Sequence, residues 1–175
     1  MKRFTILLTI IAVIMAAGTA TADLDKNLEA FEPYVGKTLE GAFVNSATGE
    51  SAVDVQRWEE TLGGKAIRVV HSLNAGEYGG ETIIFWDSKE NTVAFYYFTT
   101  AGFYTHGTMT FEMGIFTAHE KVVGSADGIT EVRSSSRMLE DGRVHLKSEF
   151  LKDGQWVPGH EIYYAEAPEA KVVFK

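Results

Sequence analysis

Between Lys37 and Ala165 the chain repeats one pattern. Short runs rich in β-branched and aromatic residues alternate apolar with polar, and each run ends in a turn signal. Ten such runs can be marked, at about 38–45, 52–60, 65–74, 80–87, 92–99, 103–112, 115–123, 129–140, 143–152 and 157–165. Gly63-Gly64, Asp141-Gly142 and Asp153-Gly154 are dipeptides that permit the positive φ of hairpin turns, while Asn74 to Gly80 and Gly124 to Gly128 read as wider loops. Consecutive strands with short links form an antiparallel meander, and a long meander loses its exposed edges only by closing on itself. A ten-residue strand spans roughly 33 Å, which suits a tilted barrel strand. The pattern therefore predicts an all-β, up-and-down barrel of about ten strands.

Alternation also predicts faces. In the ninth run Val144, Leu146, Ser148 and Phe150 oppose Arg143, His145, Lys147 and Glu149. The third places Ile67, Val69, His71 and Leu73 together, and the eighth Val132, Ser134, Ser136 and Met138. Arg57 shares a face with Val53 and Val55, so it is either an inward charge or a rim residue at a strand end. The fourth and fifth runs are apolar on both faces and receive no assignment. Tyr96 to Phe111 forms a hairpin rich in Phe and Tyr that carries much of the large apolar surface. Bulky rings beside small residues such as Ser134, Ser136, Ser148 and Gly107 either interlock as a solid core or leave a cavity.

The amino-terminal 22 residues read as a targeting segment: Lys2 and Arg3, an apolar run from Phe4 to Ala17, then the small-x-small sequence Ala20-Thr21-Ala22. The run is short for a bilayer and has no basic stop-transfer flank, which favours cleavage after Ala22 over a membrane anchor. The chain has no cysteine, hence neither a lipidation site nor a disulfide. The expected product is a single domain, 23–175, that is exported, and periplasmic in a Gram-negative source. Cleavage would leave 14 basic against 24 acidic side chains, a surface that repels phosphate backbones and anionic headgroups. Nucleic acid is not an expected partner. After the cut, Leu24, Leu28 and Phe31 fall at i, i+4 and i+7 ahead of Pro33 and Gly36, predicting a short N-terminal helix packed across a barrel end.

Two segments carry a family resemblance. Phe31-Glu32-Pro33-Tyr34-Val35-Gly36-Lys37-Thr38-Leu39-Glu40-Gly41 resembles the Gly-x-Trp-x-Gly start of calycin, or lipocalin-like, barrels, with Leu39 at the Trp position. Gly80-Glu81-Thr82-Ile83-Ile84-Phe85-Trp86-Asp87 resembles a segment of exported bacterial lipocalin-like domains of unknown function. The resemblance implies a barrel that binds a small apolar molecule. Its haem-binding branch, the nitrobindin-like proteins, uses a late histidine as iron ligand; the counterpart here is His160 in Pro158-Gly159-His160-Glu161-Ile162-Tyr163-Tyr164.

Among the chemistry-bearing residues, the histidines at 71, 106, 119, 145 and 160 have no zinc-type spacing. His119 and His145 sit among charged neighbours and read as surface residues. His71 and, by parity with Ile162 and Tyr164, His160 point inward. His106 points outward by pattern, and contacts a ligand only if the more polar face of its strand lines the lumen. No nucleophile elbow is present, and the acidic pairs Glu59-Glu60 and Glu140-Asp141 lie at turns. Candidate ligand contacts are His71, Trp86, Tyr97, His106, Met109, His160 and Tyr164, with haem at His160 as a possible cofactor. The expected function is a non-enzymatic carrier or sensor of a small, largely apolar molecule. Haem or nitric-oxide handling, a barrel enzyme and a filled structural barrel are the alternatives.

Overall fold

A computed structural model of the protein describes residues 23–44, 49, 51–124 and 127–175. The expected leader and its cleavage site lie outside the described residues. The described strands are β1 (Thr38–Val44), β2 (Ser51–Thr61), β3 (Ala66–Leu73), β4 (Tyr78–Asp87), β5 (Thr92–Thr99), β6 (Tyr104–Glu112), β7 (Ile115–Val123), β8 (Ile129–Met138), β9 (Val144–Lys152) and β10 (Gln155–Glu166). Each pairs antiparallel with its sequence neighbours, and β1 pairs with β10 through Gly41 and Tyr164, so the sheet closes as a ten-stranded barrel. β4 begins at Tyr78, two residues before the expected boundary, and the Asn74 loop is correspondingly shorter.

The N-terminal segment does not form the α-helix implied by the i, i+4, i+7 spacing. Lys26–Phe31 is a 3-10 helix, capped by the Asp25 side chain, which accepts from the Asn27 amide at 3.0 Å. So short an α-helix nucleates poorly. A 3-10 helix aligns every third residue, and the chain uses that period: Leu28, Phe31 and Tyr34 are all buried. Phe31 stacks on Phe116 with centroids 4.4 Å apart, and Tyr34 packs on Trp58 at 5.3 Å. The amides of Asp25 and Gly36 donate to the carbonyls of Gly64 and Trp58, each at 2.9 Å, fastening the plug across the end where β2 meets β3.

Cross-strand register fixes the inner face. Ile67 faces Ile84, Ile84 faces Phe95, and Phe95 faces Gly107, so odd positions of β3, β5 and β6 and even positions of β4 point in. This settles the two strands with apolar residues on both faces: Thr82, Ile84, Phe95 and Tyr97 are inside. Tyr96, Phe98 and Tyr104 form a row of rings on the outer wall, Tyr96 stacking on Phe98 with an interplanar angle of 11°. For β2 the valine face is the outer one. Ala52, Asp54, Gln56 and Trp58 point in, since Gly41 pairs with Asp54 and Leu39 with Gln56. Arg57 is accordingly a rim residue, donating to the Gly36 carbonyl at 2.7 Å. The apolar outer positions beside it lie near the C-terminal tail, whose Val173 amide donates to the buried Ser72 hydroxyl at 3.0 Å.

Candidate functional site

The interior divides along the barrel axis. Beneath the plug lies a cavity of about 170 Å³, walled by rings (Phe31, Tyr34, Trp58, Phe116) and by Ile84 and Met109. Ser134 and Ser136, from the small-residue face of β8, supply hydroxyls on one side, and Gln56 and Tyr164 close the floor. Cavities of about 150 Å³ walled by Leu, Ile and Phe take up benzene, so this space suits a single ring. Among the described residues no protein group bonds either serine hydroxyl, leaving both free for a guest.

Below the floor the interior turns polar. Asp54, only 2 % exposed, accepts from the Tyr164 hydroxyl at 2.7 Å and from Gln56 Nε2 at 3.1 Å on one oxygen. Its other oxygen is 2.7 Å from His71 Nδ1. His71 Nε2 is 2.7 Å from the Tyr97 hydroxyl, which lies 2.9 Å from that of Tyr78. His71 thus bridges the buried Asp54 carboxyl group, on one ring nitrogen, to the paired Tyr97 and Tyr78 hydroxyls on the other. Gln56 also donates to Tyr164 at 2.8 Å and accepts from Trp58 Nε1 at 3.2 Å, which joins the network to the cavity wall.

Two glycines make this geometry possible. Tyr164 of β10 reaches Asp54 of β2 across Gly41 of β1, where a Cβ would lie 2.6 Å from Ile162 Cγ2 and 2.9 Å from Tyr164 Cδ1. Tyr97 of β5 reaches His71 of β3 across Gly80 of β4, where a Cβ would fall on the Tyr97 ring and the Phe98 carbonyl oxygen. Burial pushes the phenols of Tyr97 and Tyr164 far above the ordinary range, with the Tyr78 hydroxyl adding to the first and the Asp54 carboxylate to the second. Both therefore stay protonated phenols at neutral pH, held in place by the Asp54–Tyr164 and His71–Tyr97 contacts.

Two further ionisable groups face inward. Glu120 accepts from the Thr105 hydroxyl, and burial raises its pKa. His160 lies between Phe43, with centroids 4.6 Å apart, and the edge of Phe150 at 5.3 Å, and its Nδ1 is buried without a partner. Burial lowers its pKa from the ordinary value near 6.5, the Asp54 carboxylate opposing in part. The unfolded chain therefore takes up this proton first, and the native state loses stability as pH falls through 6.5. His160→Phe removes both the unpartnered nitrogen and that titration. It should lie within about 1 kcal/mol of the native protein at pH 8 and gain on it in urea titrations below pH 6.

Of the seven residues chosen from sequence, His71, Tyr97 and Tyr164 meet in one network, and Tyr164 and Met109 border the cavity. Trp86 is on the inward face at the capped rim, beside Val93, and does not line the cavity. His160 is inward but apart from both groups. His106 is on the outer wall, stacked on Tyr96 at 5.6 Å, because register places Gly107 and not His106 against Phe95. His119 and His145 pair with Glu131 and Glu161 on the surface. Sequence reasoning missed Asp54, Gln56, Tyr78 and Glu120. The usable signal was Trp58: a large ring at the capped end of β2 fixes parity, and Gln56 and Asp54 follow it inward.

No protein-family model matches the chain, and no curated protein matches it. Among solved structures it is similar to the crystal structure of Rv2717c from M. tuberculosis, with a TM-score of 0.63 over 83 % of this chain and 99 % of that one, at 13 % sequence identity. At that identity the likeness is one of fold alone, and it agrees with the strand pairing: the chain is a closed ten-stranded antiparallel β-barrel.

Proposed function

We propose that the protein is a carrier or sensor that holds one small, largely apolar molecule in the plugged half of its barrel. The observation that carries this reading is the ring-walled cavity with two unbonded serine hydroxyls beneath the Phe31 and Tyr34 plug. Ring burial, at roughly 25 cal/mol per Å² of apolar surface, would supply affinity, and the hydroxyls orientation. The amino-terminal pattern of basic start, apolar run and Ala20-Thr21-Ala22 supports export and hence a ligand met outside the cytoplasm.

Solvent extraction of native protein followed by mass spectrometry should recover a small apolar compound, and repeated recovery of empty protein would count against the reading. Ala118 lines the cavity, so Ala118→Leu should fill part of it and reduce the recovered compound by tenfold or more, on the order of what lost ring contact implies. The residues at His160 do not fit haem. Its ring is held between Phe43 and Phe150, the cavity does not border it, and about 170 Å³ is well below the roughly 300 Å³ at which pockets for larger ligands begin. Hemin added to the protein should give no Soret band that depends on His160.

A further inference from the structure

The inner wall carries carboxyl groups, and among the described residues no basic side chain borders the cavity: His160, the inward imidazole besides His71, is boxed between Phe43 and Phe150 outside the cavity lining. Register places Arg57, Arg68, Lys121, Arg133, Arg137 and Lys147 on the outer face, where Arg68 pairs with Glu81 at 2.8 Å and Arg133 with Glu149 at 2.7 Å. Lys152 has inward parity, but it is exposed at the rim of the end opposite the plug. Asp54 and Glu120 point inward. Both ring nitrogens of His71 are engaged, by Asp54 and Tyr97.

The cavity floor therefore has a definite electrostatic character. Gln56 and Tyr164 border the cavity, yet both turn their donors to Asp54, and Trp58 spends its N–H on Gln56. A guest finds no N–H from these three and no cation. It finds a wall whose further polar residues, Ser134, Ser136, Thr82 and Tyr34, carry neutral hydroxyls able to donate or accept, with a carboxylate one hydrogen bond beyond the floor. Hydroxyls satisfy a carbonyl, amide or hydroxyl on the guest, whereas an anion there would be desolvated and repelled by the carboxylate, with neutral hydroxyls but no cation to offset the cost. The volume sets the other limit, one ring and a small substituent.

Resting on the ligand-binding reading above, we infer that the cavity takes uncharged single-ring aromatic molecules bearing a neutral hydrogen-bonding group, and discriminates against carboxylates of the same shape. Fatty acids are excluded on both charge and length.

Benzamide and benzoate test this, because they differ by little but a charge. Calorimetric titration of the purified protein at pH 7 should show saturable benzamide binding, with benzoate weaker by about tenfold or more. Asp54→Asn should narrow that gap. Should that variant not fold, acidifying the native protein until benzoate becomes benzoic acid should restore binding instead. Equal affinity for the two compounds overturns the charge selection and leaves the cavity reading standing. Saturable binding of neither removes the cavity reading and the ligand class together.

Discussion

Asp54→Ala should destabilise the protein by about 3–5 kcal/mol, seen as a lower urea midpoint with an unchanged slope. The reason is what remains, not what leaves. Tyr164, Gln56 and His71 converge on one buried carboxylate, and alanine would strand three donors in a space that water enters poorly. An unsatisfied buried donor costs about 1–3 kcal/mol, and three sharing one acceptor do not add independently, so the expected total lies below the simple sum. Tyr164→Phe removes one donor and its acceptor stays bonded to two others, so it should cost only about 1–2 kcal/mol. Asp54→Asn keeps an acceptor for Tyr164 and should fall between. A loss under about 1 kcal/mol for Asp54→Ala would show that the network does not hold β2, β3 and β10 together.

That network was only half legible in the sequence, and the reason lies in which faces are covered. Most of the barrel reads directly: in β9 the alternation of Val144, Leu146 and Ser148 with charged neighbours has one solution, and the structure adopts it. The same logic misleads in β2. Val53 and Val55 look like the buried set, but they are on the outer wall, while Asp54 and Gln56 are inside because partners from two other strands satisfy them. No local pattern announces that His71 and Tyr164, 93 residues apart in sequence, share one carboxylate. In β4 and β5 the ambiguity is physical as well: Phe85 and Tyr96 stack on the outside, so both faces are apolar in fact. The plug shows the opposite case, since the three-residue spacing of Leu28, Phe31 and Tyr34 was present in the sequence and an α-helical period was laid over it.

Gly80→Ala should cost about 2–4 kcal/mol, an unusual loss for adding one methyl group in a strand where φ is ordinary. The added Cβ would meet the Phe98 carbonyl oxygen, which belongs to the paired strand and can move only by bending the ladder, and also the Tyr97 ring. Gly102→Ala separates this from the general cost of losing glycine. Gly102 has φ +85° with nothing within 4 Å of the added carbon, so alanine there should cost only about 1 kcal/mol, the backbone penalty alone. The two causes at Gly80 can also be divided. Tyr97→Leu by itself removes the hydroxyl between His71 and Tyr78 and should destabilise the protein. Combined with Gly80→Ala it also relieves the ring contact, so the double variant should be more stable than the sum of the single losses by about 1 kcal/mol or more. Strict additivity would mean that Tyr97 does not depend on the missing side chain. The glycine would then serve strand pairing alone, and the path from Tyr97 to His71 would need some other support.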